Sequence, residues 1–358
     1  MILIRKIAAT MFFVALINSH LPVARAQAPA AGGFTFKARK QTFKTNGARL
    51  EGDARISSPQ LDVAADAISF DFTQSQIQKV TARGSVNLKI NLTPQGGGEV
   101  TRIEATCKIA TLDPPSRTLI LDGAVKGFYQ VGKGGRNELS GSRATLKYDE
   151  AKNLLADIEG GVSFKLPAEN LDSPTAIGSV VLTGQRATVN TATGLATISG
   201  NARAVSSDGP NKFDVAAPVF TLSRGASGTI DTLKTVGRTS LKLDLPPDAT
   251  PDAAPKAGAT PATNKASDIG KPTRLEVMAD AATVQRAGNT VTFEGNVQGF
   301  YELAKAGAAP TRQTFSGDRA VVKYVLAAQA SAENPAGVQL EMTGKPVEVM
   351  FPQLNFSF

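Results

Sequence analysis

A unit of two β-strands joined by a short turn recurs along this chain and restricts what the chain can fold into. The clearest copy, residues 138–166, has apolar or small residues at every second position, first from Ala144 to Tyr148 and then from Ile158 to Leu166. Alternation with a period of two over such runs predicts half-buried strands. Only one face of the resulting hairpin is apolar, so each hairpin has to stack on its neighbours.

The unit occurs about seven times, which predicts an all-β fold. The copies cover residues 60–91, 102–131, 138–166, 181–205, 212–245, 275–303 and 314–351. In repeat proteins of this kind each unit buries its apolar face against the next unit along the chain. A basic lead-in strand is predicted between Phe34 and Gly52, ahead of the first copy.

A longer duplication is superimposed on these units. Three pairs of segments match one another in sequence: GAVKGFYQ with GNVQGFYE (123–130 and 295–302), SGSRATLKY with SGDRAVVKY (140–148 and 316–324), and DVAA with itself (62–65 and 214–217). We interpret the pattern as a block of three units that is present twice. The remaining unit, residues 181–205, lies between the two blocks.

A glycine takes an apolar position in the second strand of six units. These predicted corner glycines are Gly84, Gly123, Gly160, Gly200, Gly295 and Gly344. Glycine inside a strand marks a bend, a bulge or the close approach of another group. Repeated at one register, the glycines should stack into a column where each strand turns a corner. Two interpretations stay open: the column is a folding device, or the missing side chains leave a groove inside.

The two ends of the chain and one internal segment differ in composition from the repeats. Residues 1–26 are predicted to be a secretory signal peptide, with an A-x-A cleavage site at 24–26; an uncleaved membrane anchor is the alternative. Residues 246–272 are rich in Pro, Ala and Thr and are predicted to be a disordered insertion. The repeats on its two sides, in residues 27–245 and 273–358, are predicted to form one continuous stack.

The composition excludes most catalytic machinery. The one histidine, His20, lies in the predicted signal, so the mature chain lacks the base of Ser-His and Cys-His nucleophiles and a common zinc ligand. Cys107 is the only cysteine, which excludes an internal disulfide. Acidic residues recur singly rather than as the facing pair that a glycosidase uses. We therefore expect no enzyme activity, no cofactor and no metal.

The net charge indicates no nucleic-acid partner. The formal charge of the whole chain is +8, and the predicted signal accounts for three basic residues and no acidic ones, which leaves +5 on the mature chain. The basic residues are scattered singly along outward strand positions. Nucleic-acid binders instead carry a clustered basic stripe with aromatic side chains for stacking.

Four copies of the unit share a motif: a small residue, a polar residue and Arg-Ala or a near equivalent, then a turn, then an apolar residue two places before a glycine. They read GSRATLKY…ADIEGGVSF, GQRATVN…ATISGNARA, ADAATVQ…VTFEGNVQG and GDRAVVKY. Over residues 60–350 the chain resembles the OstA-like (LptA–LptC) lipopolysaccharide-transport family of periplasmic proteins. The resemblance implies an elongated, open, twisted β-jellyroll of about seven two-strand repeats and a location in the periplasm.

The resemblance also implies a function. Family members hold the acyl chains of lipopolysaccharide in the apolar lumen of the jellyroll, and terminal strand edges join them to other jellyroll-containing transport proteins. By this resemblance the chain is expected to be a bridge component of lipopolysaccharide transport, with lipopolysaccharide or a similar amphiphile as its ligand. Two alternatives stay open: a structural or adhesive repeat protein with a filled core, and a membrane-anchored LptC-like subunit.

The predicted inward positions are mostly small to medium in size, and the chain contains no tryptophan. Such a lining leaves apolar volume that an acyl chain would fill at about 0.8 kcal/mol per buried methylene. The candidate lumen residues are Ala144, Leu146, Tyr148, Ile158, Val162, Phe164, Ala187, Val189, Ile198, Ala282, Val284, Phe293, Val297 and Val322.

Overall fold

The computed structural model describes residues 35–59, 61–73, 76–92, 101–133, 135–148, 154–167, 179–190, 192–206, 208, 212–224, 230–244, 271–285, 290–304, 310–325, 337–343 and 348–350. In this part of the chain the regular elements are β-strands. The same residues contain no helix with the length and hydrophobicity that a membrane span requires. The prediction of an all-β fold is confirmed.

Twenty strands are described. Their bounds are β1 (Thr35–Lys37), β2 (Lys40–Lys44), β3 (Gly47–Ser57), β4 (Leu61–Thr73), β5 (Gln76–Leu92), β6 (Thr101–Asp113), β7 (Thr118–Val131), β8 (Asn137–Tyr148), β9 (Leu154–Leu166), β10 (Val180–Asn190), β11 (Leu195–Ser206), β12 (Lys212–Arg224), β13 (Ile230–Val236), β14 (Thr239–Asp244), β15 (Lys271–Ala279), β16 (Ala281–Gln285), β17 (Thr290–Ala304), β18 (Thr311–Val325), β19 (Gly337–Thr343) and β20 (Glu348–Met350). Most exceed ten residues, which is long for strands of globular proteins.

The strands belong to two compact units. Unit 1 comprises residues 1–171, 182–200 and 224–229, and unit 2 comprises residues 172–181, 201–223 and 230–358. In unit 1 each strand from β3 to β9 pairs antiparallel with the next along the chain. Strands β1 and β2 both pair with β3, one near each end of it.

In unit 2 the strands form two antiparallel ladders that share β17 and β18. One ladder runs β12–β14–β15–β17–β18–β20. The other runs β13–β16–β17–β18–β19. Here the chain breaks into separate strands at the point where the strands of unit 1 carry only a bulge.

A column of bulges divides each unit into two arms. Ala64 and Ala67 of β4 pair with Asn87 and Arg83 of β5. Two residues of β4 therefore lie opposite three residues of β5. The same shift recurs across the ladder from β3 to β9 and again between β17 and β18. An extra residue bends a strand and increases its twist. Each strand therefore turns a corner at the column, as a jellyroll-like fold requires.

We call the arm that contains β1, and in unit 2 β14 and β15, the first arm. The arm that contains β2, and in unit 2 β13 and β16, is the second arm. The long strands contribute one half to each arm: β17, for example, pairs with β15 in the first arm and with β16 in the second. A repeat thus supplies two short hairpin segments, one on each side of the corner.

Glycines in the left-handed region of backbone conformation lie at these corners. Five of the six predicted corner glycines have a positive φ: Gly84 (+96°), Gly123 (+82°), Gly160 (+80°), Gly200 (+78°) and Gly295 (+76°). The sixth, Gly344, lies outside the described residues. A left-handed backbone costs residues other than glycine about 1–2 kcal/mol, which explains why glycine recurs at this register.

The space that these glycines leave is on the outer surface. A Cβ atom at Gly84 would overlap the exposed side chain of Asp66, and one at Gly200 would lie 2.6 Å from the Cβ of exposed Gln185. At Gly160 the facing side chain, Ser142, also donates a hydrogen bond of 2.7 Å to the glycine carbonyl oxygen. These contacts favour the interpretation of the column as a folding device over that of a groove inside.

The strand predictions can be compared with the observed elements. The hairpin over 138–166 is confirmed as β8 and β9, and the copy at 181–205 as β10 and β11. Asn190 closes the turn of the second hairpin, because its side-chain oxygen accepts the backbone N–H of Ala192 at 2.9 Å. The predicted signal peptide and residues 246–270 lie outside the described residues. Lys271 and Pro272, the last two residues of the predicted insertion, begin β15.

Ion pairs on the outer face join the first strand of each block to the strand that precedes it. Arg55 of β3 binds Asp62 of β4 through two contacts of 2.6 and 2.5 Å. Arg203 of β11 binds Asp214 of β12 in the same way, at 2.8 and 2.5 Å. The hydrogen bond from Arg203 lowers the pKa of the Asp214 carboxyl below its ordinary value. Such two-point pairs are geometrically specific and therefore favour one strand register.

Candidate functional site

The inner face of unit 1 is built from continuous rows of mainly apolar residues, because residues that face one another across paired strands share a face. One row in the second arm consists of Leu50, Ile68, Ala82, Ala110, Leu121, Ala144 and Ile158. The matching row in the first arm consists of Ile56, Val63, Leu88, Ala105, Gly127, Leu139 and Phe164. Each row crosses seven strands, which corresponds to about 29 Å at 4.8 Å per strand.

The two arms of unit 1 fold over each other. Phe36 of the first arm and Phe70 of the second arm form an edge-to-face ring contact, with centroids 6.0 Å apart. Leu50 and Ile68 are only 1% and 0% exposed. A single sheet with nothing on its inner face would leave such residues open to solvent. The corner at the glycine column therefore covers one half of the sheet with the other.

Burial of the first-arm row of unit 1 decreases along the ladder. Ile56, Val63 and Leu88, on β3 to β5, are buried. From β6 onward the first-arm row is only half-buried, for example at Leu139 and Phe164. The cover supplied by the opposite arm is thus incomplete over β6 to β9. Uncovered apolar surface of this kind commonly marks a binding site.

The inner face of unit 2 is a packed cluster that takes residues from both arms. Its buried members are Leu241, Leu275, Val277, Ala279, Ala282, Phe293, Val297, Phe315, Ala320 and Val322. Tyr301 packs against the cluster with its ring 6.5 Å from that of Phe315. Burial raises the pKa of the Tyr301 hydroxyl, which donates a hydrogen bond to the side-chain oxygen of Gln313.

Most of the candidate lumen residues with described side chains lie on these inner faces. Nine are buried: Ala144, Ile158, Val162, Ala187, Ile198, Ala282, Phe293, Val297 and Val322. Four are half-buried: Leu146, Phe164, Val189 and Val284. The side chain of Tyr148 lies outside the description. Whether these residues contact a lipid stays a prediction.

Sequence reasoning omitted several inner residues of the first repeats. Leu50, Ile68 and Val86 are among the most deeply buried side chains of unit 1. Their signal is present in the sequence, because Ile68 lies in the alternating run LDVAADAISFDF and Val86 lies two places after the corner glycine Gly84. The same alternation that indicated Ala144 and Leu146 would have found them.

Two buried threonines are the main polar groups on the inner face of unit 2. Thr235 and Thr239 are 4% and 0% exposed, and their hydroxyl oxygens lie 2.6 Å apart. Thr235 accepts the backbone N–H of Ala282 at 2.7 Å, and Thr239 donates to the carbonyl of Gly237 at 2.9 Å. These hydroxyls satisfy one another and the backbone at the break between β13 and β14, so they close a corner rather than present a ligand site.

The thiol and the possible metal ligands of the described residues do not form a second candidate site. The Sγ atom of Cys107 donates to the carbonyl oxygen of Ile109 at 3.3 Å, and burial raises the pKa of its thiol, which makes the thiolate scarcer at neutral pH. Among the described residues, no group of three or more His, Cys, Asp or Glu side chains is arranged to hold a metal ion. The candidate site is therefore an apolar surface.

Comparisons with known proteins find likenesses among solved structures. No protein-family model matches the sequence, and no curated protein matches it. Among solved structures the chain is similar to LptH, the LptA-homologous periplasmic component of the conserved lipopolysaccharide transport device from Pseudomonas aeruginosa. The two are 15% identical over a match that covers 33% of this chain and 76% of LptH, with a TM-score of 0.27.

Proposed function

We propose that this chain is a non-enzymatic carrier that holds the acyl chains of lipopolysaccharide or a similar amphiphile on its apolar inner face. In this proposal it acts in the periplasm, as a bridge component of transport toward the outer membrane. Its partners would be other jellyroll-containing transport proteins, bound at terminal strand edges. The resemblance of its repeats to the OstA-like family supports this choice of pathway.

The observation that carries the proposal is the apolar inner face of unit 1 over β6 to β9. Its first-arm row is buried on β3 to β5 but half-buried here, at Ala105, Gly127, Leu139 and Phe164. An acyl chain lying in this part of the face would complete the burial, at about 0.8 kcal/mol per methylene removed from water. The side chains that meet it are aliphatic or aromatic, which suits hydrocarbon and offers no headgroup contact.

Photocrosslinking tests the proposal directly. A photoreactive residue replaces Leu146, which is half-buried on the inner face, in cells that make lipopolysaccharide. We expect lipopolysaccharide to be crosslinked to this position. Thr145 is the matched control, since it is the preceding residue on the same strand and faces outward.

Labelling at Leu146 that exceeds labelling at Thr145 by at least tenfold supports the proposal. Equal labelling at the two positions would refute it, because contact at the outer face reflects only nonspecific collision with lipid. The circular dichroism spectrum of each variant, compared with that of the parent chain, verifies that the strands are intact.

The second candidate function is that of a structural or adhesive repeat protein with a filled core. The packed cluster of unit 2 favours this candidate for unit 2. Ten residues from both arms of unit 2 are at most 8% exposed. A repeat protein that serves only as a scaffold or adhesive would need no more than this. It predicts that neither unit acquires lipid in the crosslinking experiment.

A further inference from the structure

The duplication places equivalent residues on the inner faces of both units, which permits a position-by-position comparison. Matching GAVKGFYQ with GNVQGFYE pairs Leu121 with Phe293, Val125 with Val297 and Gly127 with Gly299. Matching SGSRATLKY with SGDRAVVKY pairs Ala144 with Ala320 and Leu146 with Val322, and one place before the motif it pairs Leu139 with Phe315. The registers agree: Leu139 pairs with Gly127, and Phe315 pairs with Gly299.

Unit 2 carries extra phenyl rings at these positions. Aliphatic Ile68, Leu121 and Leu139 of unit 1 correspond to Phe220, Phe293 and Phe315 of unit 2. The three phenylalanines are 0%, 1% and 4% exposed. Three rings therefore replace three aliphatic side chains inside the second copy, whereas Phe70 and Phe164 of unit 1 correspond to Leu222 and Val349.

The clearest difference lies over the glycine of the GFY sequence. A Cβ atom at Gly299 would lie 2.5 Å from the ring of Phe315, so this ring occupies the space above the glycine. A Cβ atom at Gly127 would instead have Glu104 and Ala105 as its nearest neighbours, at 2.9 and 3.5 Å. No ring covers Gly127 in the way that Phe315 covers Gly299.

Exposure follows the same division. Five inner residues on β6 to β8 of unit 1 are half-buried while their counterparts in unit 2 are buried: Ile103, Ala105, Ala110, Leu139 and Leu146 against Leu275, Val277, Ala282, Phe315 and Val322. On β4 and β5 the difference is reversed, since Val63 and Ile90 are buried and their counterparts Val215 and Leu243 are half-buried. The opening in unit 1 is thus local to β6–β8.

We infer that the acyl chain binds in unit 1, over Gly127 between Ala105 and Leu139, and that Phe315 fills the equivalent position of unit 2. The inference rests on the proposed function and assigns its ligand site to one of the two copies. A straight hydrocarbon chain suits a site with an unsubstituted glycine at its base and half-buried aliphatic residues at its sides. Phe315 performs in unit 2 the space-filling that the ligand performs in unit 1.

Exchanging the two residues tests the inference. The probe is palmitate, titrated into the full chain and followed by native mass spectrometry for affinity and stoichiometry. Leu139→Phe introduces the ring of unit 2 into unit 1 and should weaken binding at least tenfold. Phe315→Leu removes the ring from unit 2 and should let a second palmitate bind. Glu138→Phe is the control, because it adds the same ring to the exposed outer face of the same strand.

The outcomes separate this inference from the proposed function. Weaker binding by Leu139→Phe but not by Glu138→Phe supports the inference. Unchanged binding by a folded Leu139→Phe variant overturns it and leaves the proposed function in place. If Leu139→Phe fails to fold, the Phe315→Leu variant provides the test. A second bound palmitate supports the inference, and a palmitate stoichiometry equal to that of the parent overturns it. A parent chain that binds no palmitate and is not crosslinked to lipopolysaccharide at Leu146 overturns both.

Discussion

At the scale of single residues, the corner glycines are the positions where the fold tolerates least change. Gly160 and Gly161 are adjacent, and both have positive φ angles, +80° and +78°. A Cβ atom at Gly160 would overlap the side chain of Ser142, whereas one at Gly161 would have no neighbour within 4 Å. The pair therefore separates the cost of backbone conformation from the cost of steric overlap.

We expect Gly161→Ala to lower the free energy of unfolding by about 1–2 kcal/mol, the cost of a left-handed alanine. Gly160→Ala should lower it further, because Ser142 must also move. Gly161→Asn should cost least, since Asn201 and Asn296 adopt this conformation at equivalent corners. Urea unfolding of the three variants measures the differences. Equal losses for the two alanine variants would contradict the steric argument.

The Arg203–Asp214 pair predicts a pH-dependent contribution to stability. Because the pKa of Asp214 is lower in the folded chain than its unfolded value of about 3.9, its contribution is present above that value and is lost as pH falls through the folded pKa. Asp214→Asn should therefore be less stable than the parent at pH 7 and nearly equal to it below the folded pKa. Urea midpoints at both pH values provide the test. A difference that does not change with pH would contradict it.

At the scale of elements, the break between β13 and β14 depends on buried hydroxyls. Thr235→Val leaves the N–H of Ala282 without its acceptor, and an unsatisfied buried group costs about 1–3 kcal/mol. Thr239→Val removes a bond to the Gly237 carbonyl and the contact with Thr235, and should cost about 1 kcal/mol. Chemical denaturation of both variants provides the comparison. A larger loss for Thr239→Val would show that another interaction holds this corner.

The sequence predicted the elements better than it predicted their corners. Alternation is a local signal, so the hairpin of β8 and β9 and five corner glycines were found without any tertiary information. Gly52 and Gly237, which also have positive φ, were missed, because their strands were interpreted as a lead-in and as a copy without the shared motif. Gly52 is followed by Asp53 as Gly200 is followed by Asn201, so the pattern of a glycine and then an Asx residue would have identified the first of them.

The inner face shows a different limit. Alternation indicates which residues point inward, and it predicted both Leu146 and Val322 as lumen residues. It does not indicate how completely the opposite arm covers them, because cover depends on side chains far away in sequence. Leu146 is half-buried and Val322 is buried for this reason.

At the scale of the whole molecule, duplication has produced two copies of one inner face with different fillings. In unit 2, buried phenylalanines from both arms fill the cluster. In unit 1, the first-arm row stays half-buried over β6 to β8. A copy with a filled core stabilises itself, whereas a copy with uncovered apolar residues is most stable with a ligand bound. We therefore expect the first copy to bind the ligand and the second copy to pack against itself.

Native mass spectrometry of the chain, purified without detergent from the cells that make it, shows whether the inner face holds a lipid. We expect a population heavier than the polypeptide by the mass of an acylated amphiphile. Collisional activation should release that ligand, and Leu139→Phe should deplete the heavier population. A chain that carries only its own polypeptide mass, and that acquires no lipopolysaccharide when incubated with it, would contradict the claim that the inner face is a lipid site.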